Sequence, residues 1–274
     1  MHIYIYIGGS LFQETAKTNI YKIKLPKRYW KDLPVYILGA NFGPFITKEY
    51  YDKYHEIFTK CSGVCFRDKK SYNLFKNIDC VRYAPDIIFN YKLPVVNKEK
   101  SIAISVIGEK TGCNYQKYLD RIIEVVKFYI NKGFSIKLLS FCENEGDKIA
   151  SMFIESHVDV ELRNKIKCYS YDGDVERFTK ILISSDFIIA TRFHSMILGW
   201  LSGIPVFPVV YNEKMENVIN DFGFKGKYVS LNDFGDVSLL DIEYNRLHKI
   251  TLEGLNEIIK DAEKQFSFLD EILD

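Results

Sequence analysis

The sequence carries no surplus of charge: Lys and Arg number 37 against 36 acidic residues in 274. With neither a net field nor a long basic run, nothing is present to hold a polyanion, so nucleic acid is not an expected partner. No apolar run approaches the roughly 20 residues that a spanning helix requires. No transmembrane helix is therefore expected, although peripheral contact with a membrane stays open. No charged segment precedes the first apolar run, Ile3-Tyr-Ile-Tyr-Ile7, which reaches Gly8 too soon for a signal peptide. The expected location is cytoplasmic, including the inner face of the membrane. Paired cysteine motifs are also missing. Cys61, Cys65, Cys80, Cys113, Cys142 and Cys168 are scattered, and a chain of this size needs no disulfides, so reduced thiols are expected. Cys61-Ser-Gly-Val-Cys65 lacks a second pair and a nearby His, which favours core thiols over a metal site. There is no internal repeat or low-complexity tract, and 47% hydrophobic with 27% charged residues suits a chain that folds throughout.

What is present is an alternation of strand and helix signals. A chain of 274 residues exceeds the size at which one core usually keeps growing, so two domains are expected. In the second half, Ile102 to Val106 is short, apolar and β-branched, as a buried parallel strand should be. From Tyr115 the residues Tyr118, Leu119, Ile122, Ile123, Val126, Tyr129 and Ile130 recur at three and four, marking a helix that Gly133 stops. Further strands are expected at Ile136 to Phe141, Ile166 to Tyr171, Phe187 to Ala190, Val206 to Val210 and Tyr228 to Leu231, separated by helix-length segments. That pattern predicts a doubly wound, Rossmann-like α/β domain.

The first half predicts strands at Ile3 to Ile7, Val35 to Gly39, Val64 to Arg67 and Val81 to Tyr83, hence a second, smaller α/β domain. Residues 90–100 combine a proline with lysines and lack a helical period, as a linker would. The expected division is 1–97 and 98–274. After Asp241 an amphipathic stretch, with Leu252, Leu255, Ile258, Ile259, Ala262 and Phe266 on one face, predicts a terminal helix belonging to the second domain.

Ligands of an open parallel sheet collect beyond the carboxyl ends of its strands. Thr191-Arg-Phe-His-Ser195 directly follows the strand Phe187 to Ala190 and precedes a helix expected over Met196 to Ser202. The amino end of that helix attracts an anion, Ser195 can cap it or donate to a ligand, and Arg192 offers a planar fork for carboxylate or phosphate. His194 can exchange protons near neutral pH. The structural alternative is that Arg192 pairs with a surface carboxylate, His194 is half-buried and satisfied, and Ser195 only caps.

These residues also carry a resemblance. Thr191-Arg-Phe-His-Ser195, then Leu198-Gly-Trp-Leu-Ser-Gly-Ile-Pro-Val206 and Tyr211-Asn-Glu-Lys214, resembles the RxHS region of the polysaccharide pyruvyl transferases. Ile7-Gly-Gly-Ser-Leu-Phe-Gln13 is similar to their glycine-rich segment, Gly39-Ala-Asn-Phe-Gly-Pro44 to their GxxxGP turn and Phe66-Arg-Asp-Lys-Lys-Ser71 to their RDxxS stretch. Ala84-Pro-Asp86 matches weakly the acidic site that follows. The resemblance runs in family order over residues 5 to 225. It implies two Rossmann-like domains of GT-B type, with a shortened N-terminal domain because family members carry further βα units before the glycine-rich segment.

The resemblance further implies transfer of a pyruvyl group from phosphoenolpyruvate to the hydroxyls of a glycan or lipid-linked sugar acceptor, forming a ketal. In that scheme Arg192, Ser195, Gly8, Gly9 and Gly43 bind the donor, His194 moves a proton, and Arg67 closes over the donor. Asp86 and Glu213 are candidates for the acceptor. Arg67 has its own structural alternative, a pair with Asp68 or Asp86. No cofactor or metal is expected, and a homodimer is compatible with the chain. Two rival functions remain: a nucleotide-sugar glycosyltransferase of GT-B type, with Glu213 toward a ribose, and a non-catalytic glycan-binding subunit.

Overall fold

The computed structural model describes residues 2–18, 33–109 and 114–273. The chain forms two compact units, one running up to Tyr91 and rejoined by the residues from Gly254 onward, the other spanning Lys92–Glu253.

The first unit contains β1 (Tyr4–Phe12), β2 (Val35–Phe42), α1 (Lys48–Phe58), β3 (Gly63–Phe66), α2 (Lys69–Phe75) and β4 (Val81–Tyr83). Its strands form one parallel sheet in the order β1-β2-β3-β4, with Ile7 opposite Leu38 and Val64 opposite Val81. Every residue of β2 is buried, as a central strand rich in Val, Ile, Leu and aromatic residues requires. The abundant aromatic residues serve as packing here: Phe42 meets Phe75 edge-on at 4.8 Å between centroids, within a cluster that includes Phe12, Tyr54, Phe58 and Phe66. β1 continues past its expected end through Gly8 and Gly9, whose φ values of +71° and +81° suit glycine.

The second unit contains β5 (Ser101–Ser105), α3 (Tyr115–Asn131), β6 (Ser135–Ser140), α4 (Asp147–Ser156), β7 (Ile166–Ser170), α5 (Val175–Ile183), β8 (Phe187–Ala190), α6 (Phe193–Leu201), β9 (Val206–Val210), α7 (Glu213–Asp221), β10 (Val229–Ser230) and α8 (Leu239–Leu247). All of its strands run parallel, in the order β10-β9-β8-β5-β6-β7. The chain works outward from β5 to β7, then returns to the other side of β5 as β8. The order therefore reverses between β5 and β8, where Ser105 lies opposite Ala190. That is the switch point at which loops diverge and a ligand crevice opens in such sheets. The expected stripe of α3 is buried at Tyr118, Leu119, Ile122, Val126, Tyr129 and Ile130.

Two expectations are corrected. After α8 the chain turns at Lys249 (φ +49°) and Gly254 (φ +66°) and forms two short helices, α9 (Leu255–Glu263) and α10 (Ser267–Leu273), instead of one long terminal helix. These helices belong to the first unit, not the second. Gln265 supplies the reason. Its buried amide oxygen accepts from Gly39 N at 2.8 Å, and its amide nitrogen donates to Ala84 O at 2.6 Å, satisfying backbone groups of the first sheet. Phe268 packs on Tyr36 and closes over Gly63, where an added Cβ would lie 2.7 Å from its ring. The stretch expected as a linker joins the second unit beyond Tyr91: Glu99 N donates to Ser184 O at 2.7 Å and the Lys98 ammonium to Ile183 O at 2.9 Å.

Free thiols are found at Cys61, Cys65, Cys80, Cys142 and Cys168, while Cys113 lies outside the described residues. Burial pushes the Cys61 and Cys65 thiols up to about 12, which suits packing residues better than nucleophiles. Among the described residues no helix is long and apolar enough to cross a membrane.

Candidate functional site

At the switch point, the turn after β8 is held from below by Ser105, the last residue of β5. Its hydroxyl oxygen accepts from Thr191 N at 2.9 Å and Arg192 N at 3.1 Å. With both amides donating, the Ser105 proton is available for Ser195 Oγ at 2.6 Å, and Ser195 in turn donates to Arg192 O at 2.8 Å. The turn is thus pinned by a continuous hydrogen-bond chain that spans the reversal. Its consequence is that α6 begins at Phe193, three residues before the expected start, with Arg192 at the N-cap and no side-chain cap.

Ser195 therefore differs from its expected role. It lies one turn inside the helix, is fully buried, and spends its hydroxyl on Ser105 and Arg192. It positions the turn rather than capping the helix. His194, in the same turn, is exposed, beside the Phe193 ring at 5.4 Å between centroids.

Arg192 is buried, and its guanidinium is occupied from within. Nε donates to Asp147 Oδ2 at 2.9 Å and Nη2 to Asp147 Oδ1, while Nη1 donates to Glu145 at 2.8 Å. The pairing allowed for Arg192 is thus present, but its bidentate partner Asp147 is buried rather than at the surface, and only Glu145 is exposed. Asp147 is a hub: it also accepts from Gly108 N, Phe141 N and Cys142 N, joining the loops after β5 and β6 to the turn after β8. Burial alone would lower the affinity of Arg192 for its proton, but the hydrogen bonds and charges of Asp147 and Glu145 outweigh it and hold the guanidinium above its ordinary value. It is a permanent cation at any working pH. The loops meet so closely that a Cβ on Gly108 would lie 1.9 Å from Glu145 O.

The remaining motif residues gather at the carboxyl end of the first unit's sheet. Arg67, directly after β3, is buried and donates to Asp86 at 2.7 Å and Asn41 Oδ1 at 2.6 Å. Asp86 also accepts from Ile88 N, and Asp68 caps α2 by accepting from Ser71 N. The structural pairing allowed for Arg67 is present, so neither Arg67 nor Asp86 presents its charge alone. Asn41, which the sequence did not single out, joins this group and reaches Gly43 O at 3.2 Å. Gly43 precedes a cis Pro44 and, like Gly8 and Gly9, has positive φ. Glu213 is exposed as the first residue of α7, after the N-cap Asn212.

Sequence reasoning missed Ser105, Glu145 and Asp147. Ser105 had a usable signal, since it ends a buried strand at the position where ligand sites form. Glu145 and Asp147 had a weaker one, an acidic cluster around Gly146 just after a strand.

The profile of the polysaccharide pyruvyl transferase family matches residues 2–213. The chain belongs to this family. Amylovoran biosynthesis protein AmsJ of Erwinia amylovora is 20% identical over 264 residues, covering 86% of this chain and 63% of that protein. The chain thus spans less than two thirds of the length of that curated relative. Among solved structures, UDP-GlcNAc 2-epimerase from Methanocaldococcus jannaschii superposes with a TM-score of 0.61 at 11% identity, over 88% of this chain and 71% of that one. Anabaena Alr3699/HepE, in complex with UDP and glucose, gives 0.53 at 12% identity over 88% and 71%. These likenesses establish the fold of this pyruvyl transferase family member, two Rossmann-like units of GT-B type.

Proposed function

We propose that this protein transfers a pyruvyl group from phosphoenolpyruvate to two hydroxyls of one sugar, forming a ketal during synthesis of an exopolysaccharide, capsule or cell-wall glycan. His194 carries the assignment: in a chain of this family, it is the exposed member of the Arg192, His194, Ser195 motif and sits at the switch point of the sheet. The donor bears a carboxylate and a phosphate. The amino end of α6, which has no side-chain cap, favours negative charge at the same turn.

The reaction balances without an added redox partner. Protonation of the donor's methylene makes the central carbon electrophilic, one sugar hydroxyl adds there, phosphate departs and the second hydroxyl closes the ketal. The diol gives up two protons, of which one is matched by the hydrogen gained in forming the methyl group and the other leaves with phosphate. His194 is suited to move one of these protons near neutral pH.

The test is a thermal-shift comparison of phosphoenolpyruvate with uridine and guanosine diphosphates. A ligand at a hundredfold excess over its Kd adds about 2.7 kcal/mol of stability. Stabilisation by phosphoenolpyruvate, followed by phosphate release when a glycan acceptor is added, is the expected result. Stabilisation by a nucleotide alone would replace ketal formation with glycosyl transfer, a reaction that the UDP and glucose bound to HepE bring into consideration.

A further inference from the structure

One guanidinium is shared by two carboxylates of opposite accessibility. The Asp147 side chain is 0% exposed and takes Nε and Nη2 of Arg192, whereas the Glu145 side chain is 44% exposed and takes Nη1. With both in place, the group of one cation and two anions is net negative and repels an incoming anion. The two contacts differ in what breaking them would cost. Losing Asp147 would strand a buried charge, but Glu145 can return to water while Asp147 still neutralises Arg192. The close approach of Gly108 to the Glu145 carbonyl fixes the backbone here, so only the side chain needs to move.

We infer that the Glu145 carboxylate occupies the seat of a ligand carboxylate on Nη1 of Arg192, and that it leaves this nitrogen when an anionic ligand binds. Glu145 then sets the threshold for anion binding at the switch point. The contact it vacates is a charge-assisted donor, and the outgoing Glu145 carboxylate shows that a carboxylate oxygen accepts from it. Only the naming of phosphoenolpyruvate as that ligand rests on the proposed pyruvyl transfer.

The experiment is calorimetric titration of the full chain with phosphoenolpyruvate, pyruvate and inorganic phosphate, in wild type, Glu145→Gln and Glu145→Ala. Glu143→Gln serves as the control, because Glu143 lies two residues away and pairs with Lys148 at 3.2 Å. Removing the internal competitor should tighten carboxylate binding by about three- to fivefold, the upper part of the range of an exposed ion pair. The control should stay within about twofold of wild type by the same reasoning. Binding unchanged or weakened in both Glu145 variants overturns the inference, as does equal tightening in Glu143→Gln or no binding of any probe. Tightening for pyruvate but no binding of phosphoenolpyruvate would keep the role of Glu145 and reject the donor. Equal binding of phosphoenolpyruvate by wild type and both variants would do the reverse.

Discussion

The Asp147 carboxylate, 45 residues before Arg192 in the chain, holds that guanidinium through Nε and Nη2 while accepting three backbone amides from two other loops. A single sealed anion therefore shapes the whole crevice at the carboxyl ends of β5, β6 and β8. Asp147→Ala should destabilise the protein by about 3–5 kcal/mol, because it strands Arg192 in the interior. Urea denaturation with intrinsic fluorescence measures this, and a loss under about 1 kcal/mol, the value of a surface pair, would contradict the burial.

His194→Ala should separate function from folding. The side chain is exposed, so its removal should leave stability within about 0.5 kcal/mol of wild type. Turnover should fall on the order of 100-fold if the imidazole transfers a proton. Phosphate release from phosphoenolpyruvate in the presence of acceptor, read beside a melting curve, checks both parts at once.

Gly108→Ala should be costly although its backbone φ is not positive. The new methyl would meet the Glu145 carbonyl oxygen at 1.9 Å, and a backbone atom cannot swing aside as a side-chain tip can. Overpacking of this kind costs about 1–3 kcal/mol. Gly8→Ala, where nothing lies within 4 Å but φ is +71°, should show only the smaller strain of a left-handed residue, about 1 kcal/mol. Equal melting temperatures for Gly108→Ala and wild type would deny the close approach of the two loops.

Glu243 on α8 should give the protein an acid-sensitive contact. Burial pushes its carboxyl up, but hydrogen bonds from Arg246 and Lys132 outweigh this and hold it below the ordinary value of 4.5. A carboxylate depressed in the fold contributes stability that is complete above its unfolded value and lost as pH falls through the folded one. The gap in melting temperature between wild type and Glu243→Gln should accordingly be widest above about pH 5 and close in acid. A gap independent of pH would assign the effect to shape rather than charge.

Much of the architecture was legible from short-range pattern. Among the described residues every strand starts close to its expected position, although β1 runs on to Phe12, since β-branched runs between turn residues report burial directly. The motif turn also fell where it was expected, beyond β8. The state of its side chains did not. Ser195 looked like a cap because Ser favours that position, but the hydroxyl of Ser105 captured the turn amides and moved the helix start to Phe193. Arg192 looked open because its partners are 45 and 47 residues away. The terminal helices were assigned to the wrong unit because an amphipathic stripe says that a face is buried without saying against what.

Periodicity, glycine placement and motif order are properties of neighbouring residues, so two parallel α/β units and the family of the chain could be read from the order of amino acids. Which charge meets which, and whether a hydroxyl faces a ligand or a neighbouring strand, depends on segments that approach only when β5 and β8 pair and the tail closes on the first sheet. A buried guanidinium takes its chemistry from whatever carboxylates folding brings to it, and in this chain those are Asp147 and Glu145.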